Sequence, residues 1–203
     1  MPDLPGGYQR PPPVPRPVGL RRRSIAAGTH IWRVEAKAFA DWTWAGFDEP
    51  RYRFDPASGT FRTRYGGHLV TGAFRERYRA SGLVIPADHA GHHLVRLTAA
   101  RALRVLDLRT ERNLDLLDID DQISTGQHPD VWSTCHLLAD AVHRWWPDLD
   151  AIVYRSRTTP ESSYNVAFFG ASGLAGASWP LHTRPDVLAK LVLRQGFTVG
   201  WDF

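Results

Sequence analysis

The stretch VWSTCHLLADAVHRWWP, residues 131–147, constrains this chain's fold more than any other. Val131, Cys135, Leu138, Val142 and Trp145 recur at three- and four-residue steps, the period of an amphipathic helix, and Pro147 cannot continue it. A helix with one apolar face must lie on something. The segments available to receive it are short and β-rich: HIWRVE (30–35), FRTRY (61–65), HHLVRL (92–97), LRVLDL (103–108), DAIVYRS (150–156) and YNVAFF (164–169) all read as strands. They do not alternate regularly with helices, so a doubly wound parallel sheet is not expected. The pattern predicts an α+β fold in a single domain, with mixed or antiparallel sheets flanked by helices.

Three further helices are expected. One covers roughly 72–80, with Thr71 as its cap and Gly82 just past its end. NLDLLDI (113–119) suggests a short second one. The last opens at Pro185 and Asp186 and stops before Gly196. FADWTWAGFDEPRYRFDPASG (39–59) mixes aromatic and turn residues and reads as a long ordered loop. Residues 1–24 are rich in Pro, Gly and Arg and poor in core residues. They read as a mobile or polyproline-like extension preceding a globular domain over 25–203.

Charge excludes some functions. The chain has 25 basic and 21 acidic residues, but Arg10, Arg16, Arg21, Arg22 and Arg23 fall in the extension, opposed there only by Asp3. Setting those aside leaves a balanced body, without the basic surface of a nucleic-acid binder. No apolar run is long enough to span a membrane. No apolar segment of the signal-peptide kind opens the chain, and the lone Cys135 cannot form an internal disulfide, so a cytoplasmic location is expected.

Single residues carry weak signals. The histidines of HAGHH (89–93) lack partners at metal-ligand spacing, and no metal site is predicted. Cys135 sits mid-helix among apolar neighbours and reads as structural. By spacing alone, Glu76 in AFRERYR is most simply a solvated partner of Arg79; the other reading is a catalytic carboxylate beside an anionic substrate. Ser156 reads as a turn serine at a strand end. Arg33 interrupts the apolar IWRV, where an unpaired guanidinium is costly, so it either faces solvent or meets an anion in a cleft.

Taken together these segments are more telling. IWRV, RYRFDP, RYGG followed by GAFRERY, then VYRSR and NVAFF stand in the order found in RES-domain proteins. The chain resembles that family over roughly 28–200. The family is similar in fold to mono-ADP-ribosyltransferases, and its bacterial members are toxins of RES–Xre toxin–antitoxin pairs that consume NAD. Matched position by position, the resemblance assigns Arg33, Glu76 and Ser156 to catalysis, and Arg33, Arg53, Tyr65, Ser156 and Asn165 to NAD binding. Phe54 stands where the family has Trp, and Arg155 where it has Pro.

The resemblance implies a toxin that cleaves the nicotinamide–ribose bond by phosphorolysis or hydrolysis. NAD is then a substrate, not a cofactor, and inorganic phosphate a candidate co-substrate. It also implies an antitoxin partner of helix-turn-helix, Xre-like type, with room for a homo-oligomer inside the complex. The rival readings are a mono-ADP-ribosyltransferase acting on a protein and a catalytically inactive binding module.

Overall fold

A computed structural model describes residues 10–159 and 163–203. Residues 1–9 of the proline-rich extension lie outside the described residues. Eight strands form one sheet: β1 (Arg22–Ile25), β2 (His30–Glu35), β3 (Arg64–Gly67), β5 (His93–Ala99), β6 (Leu103–Asp107), β7 (Ala151–Arg155), β8 (Tyr164–Phe168) and β9 (Leu174–Pro180). Their order across the sheet is β1-β6-β7-β8-β3-β2-β5-β9, antiparallel except between β6 and β7. A separate parallel pair joins β4 (Val84–Ile85) to β10 (Thr198–Val199). The helices are α1 (Val70–Tyr78), α2 (Glu111–Leu116), α3 (Gln122–Thr125), α4 (Pro129–Trp145) and α5 (Pro185–Gln195). The fold is α+β, as expected.

α4 contains the predicted 131–145 stripe. Val131, Cys135, Leu138 and Val142 are buried against Leu106, Ile152, Tyr154 and Ala167 on one face of the sheet. Burial pushes the Cys135 thiol up to about 12, so it remains a neutral core group. On the other face Val95, Leu97, Val105, Val153, Val166 and Phe168 pack with Trp42 from the 39–59 loop. α1 and α5 close a third cluster around Val34, Leu94, Phe74 and Leu188. None of the described helices is long and apolar enough to cross a membrane.

Several local expectations shift. α1 begins at Val70, and its N-cap residue Leu69 offers no side-chain cap, so Thr71 lies inside the first turn instead of capping it. The helix springs almost directly from β3, with only His68 and Leu69 between them. The strand expected over 61–65 runs over 64–67 instead, because the Thr63 and Tyr65 hydroxyls are both drawn to Asp55 and hold the preceding chain out of register. Residues 22–24, placed by composition in the extension, belong to β1 and pair with β6, while Leu20 is buried in the α4 core. α5 ends at Gly196 in the left-handed conformation, as its sequence predicts.

Candidate functional site

A row of side chains crosses four strands. The register places Tyr154 of β7 beside Asn165 of β8, Asn165 beside Gly67 of β3, and Gly67 beside Trp32 of β2. Cross-strand neighbours share a face, so these residues floor one cleft, and all four line it. Its volume is about 270 Å³. β2 and β3 register only at Trp32–Gly67, then part. Arg33 points to the opposite face from Trp32 by strand alternation, yet both line the cleft, because the sheet is open between these two strands. The open edge is closed by a side chain: Arg33 Nη1 donates to Tyr65 O at 3.1 Å.

Glycine makes the close approach at this point feasible. A Cβ on Gly66 would lie 2.5 Å from Ile31 Cγ2 and 3.0 Å from Trp32 O. One on Gly67 would meet the Ala73 amide nitrogen at 3.3 Å, where α1 leans on β3. α1 thereby brings Glu76 over the floor.

Three donors converge on one oxygen of Glu76. Asn165 Nδ2 and Thr158 Oγ1 donate to Oε1 at 3.0 Å each, and Ser156 Oγ donates at 3.4 Å. Ser156 Oγ also accepts from the Thr158 amide at 3.3 Å, which closes the turn after β7. Among the described residues no hydrogen bond reaches Oε2. The carboxylate is thus fixed through one oxygen and leaves the other for a ligand. No pairing of Glu76 with Arg79 forms among the described residues.

The other residues singled out by sequence are placed as follows. Arg33 Nε and Nη2 meet Glu35 Oε2 at 2.8 and 2.7 Å. Burial raises the Glu35 carboxyl. The Arg33 charge and hydrogen bond, the Ala36 amide and the Arg64 charge outweigh burial and hold it below the usual range. Arg53 is buried. Its Nη1 donates to Ile123 O at 3.0 Å and its Nη2 to Gly126 O at 2.6 Å, with the guanidinium 5.6 Å from the Trp132 ring centre. It clips the 39–59 loop to the α3–α4 connection.

Tyr65 Oη donates to Asp55 Oδ1 at 3.1 Å and accepts from the Phe54 amide at 2.9 Å. Burial, and secondarily the Asp55 charge, push its phenol well above the ordinary value. The hydroxyl is therefore occupied and un-ionised, and what Tyr65 offers the cleft is its ring. The structure brings Arg33, Arg53, Tyr65, Glu76 and Asn165 to one cleft, with Ser156 bonded to Glu76 at its edge.

Sequence reading missed Thr158, Glu35, Trp132, Tyr154, Arg77 and Arg157. Thr158 carried a usable signal: the alternate residue after Ser156 at a strand end falls on the same side. Trp132 and Tyr154 sit in stretches whose apolar pattern accounts for them as core, which hides a wall facing the cleft.

This arrangement defines a class: a split-sheet cleft, lined by arginine, around one oriented carboxylate. The sequence profile of the RES domain matches residues 30–187, and the chain belongs to the RES-domain family. Among solved structures, a chain of the M. tuberculosis MbcT–MbcA toxin–antitoxin complex shares the fold with a TM-score of 0.53 at 14% identity. The match covers 82% of this chain and 92% of that one. The comparison with curated proteins finds no match.

Proposed function

We propose that the cleft binds NAD and cleaves its nicotinamide–ribose bond, and that the chain acts as the toxin of a toxin–antitoxin pair. The observation that carries this reading is Glu76, fixed through Oε1 by Ser156, Thr158 and Asn165, with Oε2 open in a cleft lined by four arginines. The family membership and the neighbour's title, which names a toxin–antitoxin complex, support it.

The chemistry suits these groups. The nicotinamide nitrogen already carries positive charge, so when the C–N bond breaks its electron pair returns to the ring and no general acid is needed. Positive charge develops on the ribose, as in glycoside cleavage. A carboxylate held in place can stabilise that charge and accept from a ribose hydroxyl without reorganising. The Tyr65 and Trp32 rings supply faces for the departing nicotinamide. An acceptor oxygen then bonds to the anomeric carbon. Water yields ADP-ribose and a proton; phosphate yields a phosphorylated ADP-ribose.

The test is to incubate the purified protein with NAD, with and without inorganic phosphate, and to identify products by mass. Release of nicotinamide is expected, with the second product naming the acceptor. Intact NAD beside a verified folded protein would sink the reading. ADP-ribose attached to a protein would redirect it to protein modification.

A further inference from the structure

The cleft is lined by Arg33, Arg53, Arg77 and Arg157, and among the described residues lining it Glu76 is the one carboxylate. These guanidiniums are not equivalent. Arg53 has spent two nitrogens on backbone carbonyls and is 8% exposed. Arg33 has engaged all three, through Glu35 and Tyr65 O, and its charge is matched by the Glu35 carboxylate. Each keeps some of its five donor hydrogens, but an anion reaching either one meets a guanidinium already anchored to the protein and limited in how it can turn toward a ligand.

Arg157 and Arg77 differ on both counts. Both are exposed. Arg157 makes no hydrogen bond or ion pair among the described residues, and Arg77 makes no ion pair with a carboxylate among them, its side chain acting on the uncharged Tyr78 hydroxyl and on His92. Burial around its tip pulls the Arg157 guanidinium below its ordinary value. Glu76 counters this, while Arg53 and Arg79 add to it. A cation placed near other cations with a single carboxylate to offset them is poised for an incoming anion.

Size gives the same answer. At about 270 Å³ the cavity lies just below the ~300–1,000 Å³ usual for pockets that enclose a whole small ligand. A dinucleotide seated with its nicotinamide riboside end at Glu76 carries its diphosphate out to the rim. Among the lining arginines, Arg157 and Arg77 are the exposed ones and so the ones open to a group that extends beyond the cavity.

We infer that Arg157, assisted by Arg77, is the receiving site for the ligand's diphosphate, while Arg53 serves to hold the cleft wall. This rests on the NAD reading above and adds which side chains meet the charge. Arg157 lies within the turn, between Ser156 and Thr158, which both bond Glu76, so a diphosphate held there is registered against the carboxylate through a few bonds of backbone.

The test compares wild type, Arg157→Gln and Arg157→Lys. It measures KM and kcat for NAD, and Kd for ADP-ribose and for nicotinamide riboside, which lacks the diphosphate. Arg157→Gln is expected to raise the NAD KM and the ADP-ribose Kd about tenfold, the scale of one charge-assisted contact, with a smaller change in kcat. Affinity for nicotinamide riboside and the melting temperature stay at wild-type values, and Arg157→Lys recovers part of the loss. Wild-type KM and Kd in Arg157→Gln, beside a wild type that consumes NAD, would overturn the arginine assignment alone. So would an equal loss for nicotinamide riboside. A wild type that neither binds ADP-ribose nor consumes NAD would overturn the NAD reading and this inference with it.

Discussion

β2 is held differently on its two sides. Against β5 it registers at six consecutive pairs, from His30–Thr98 to Glu35–His93, and β5 continues the ladder through seven pairs with β9. Against β3 it registers at one pair. On the first side the ladder is continuous along β2, and Ile31 and Val34 are buried in the cores. On the second, the backbone groups released where the strands part need other partners, and side chains supply them: Arg33 reaches Tyr65 O. The cleft lies where pairing lapses. A ladder cannot admit a ligand between its strands; a gap whose polar groups are satisfied by side chains can, since side chains move at lower cost than strands.

The strongest way to break this contrast is to change chemistry on the open side without touching the ladder. Glu76→Gln keeps the shape, and its amide oxygen still accepts from Asn165, Thr158 and Ser156. NAD turnover is expected to fall by at least about a hundredfold, the scale of losing one preorganised electrostatic contact. The melting temperature should hold, because Glu76 is exposed and belongs to no core cluster. Turnover near wild type in the folded variant would remove Glu76 from the mechanism.

Gly66→Ala acts on the gap itself. The new methyl meets Ile31 Cγ2 at 2.5 Å, and Ile31 is buried in the core beneath β2 with little room to yield. Overpacking of this kind costs about 1–3 kcal/mol. The expected result is a lowered unfolding midpoint together with lost turnover, since the floor and wall of the cleft are forced apart. An unchanged midpoint would show that β2 and β3 are pliable here and that the gap does not depend on glycine.

The two sides of β2 also differ in how readily sequence discloses them. The ladder side was legible: HIWRVE and HHLVRL carry the two-residue alternation of strands, and α4 carries a helical stripe. β9 was missed because LAGASWP has small residues where a strand usually shows branched or aromatic ones; Gly176 is required there, since a Cβ would overlap the Phe39 ring at 2.2 Å. β1 was missed because Arg22 and Arg23 look like tail. Yet Arg22 pairs with Asp148 at 3.1 Å and lies 5.6 Å from the Trp146 ring centre. On the open side, spacing alone left Glu76 and Ser156 as ordinary surface residues; the family resemblance named Arg33, Arg53, Tyr65, Glu76, Ser156 and Asn165 but not what they do to one another. That Arg53 clips two carbonyls while Arg157 has no hydrogen bond among the described residues depends on segments far apart in the chain meeting, and no local period encodes that.

The smallest expected effect sharpens the contrast by titration. Glu35 ends β2 on its paired side, opposite His93, while its carboxylate serves the open side by holding Arg33, with Arg64 3.7 Å away. Its folded-state value lies below the ordinary range, net of a burial effect in the other direction. A depressed carboxyl contributes stability that is present above its unfolded value, near ~4.3, and is lost as pH falls through the lower folded value. Glu35→Gln is therefore expected to melt a few degrees below wild type at pH 7, with the gap narrowing as pH falls below about 4. The effect is modest because the pair is partly solvated and screened. Chemical unfolding of both proteins across this pH range measures it. A gap that persists unchanged at pH 3 would assign the loss to packing and leave the ion pair without a stabilising role. A gap that closes would show that the open side of β2 is held by charge where the other side is held by its ladder.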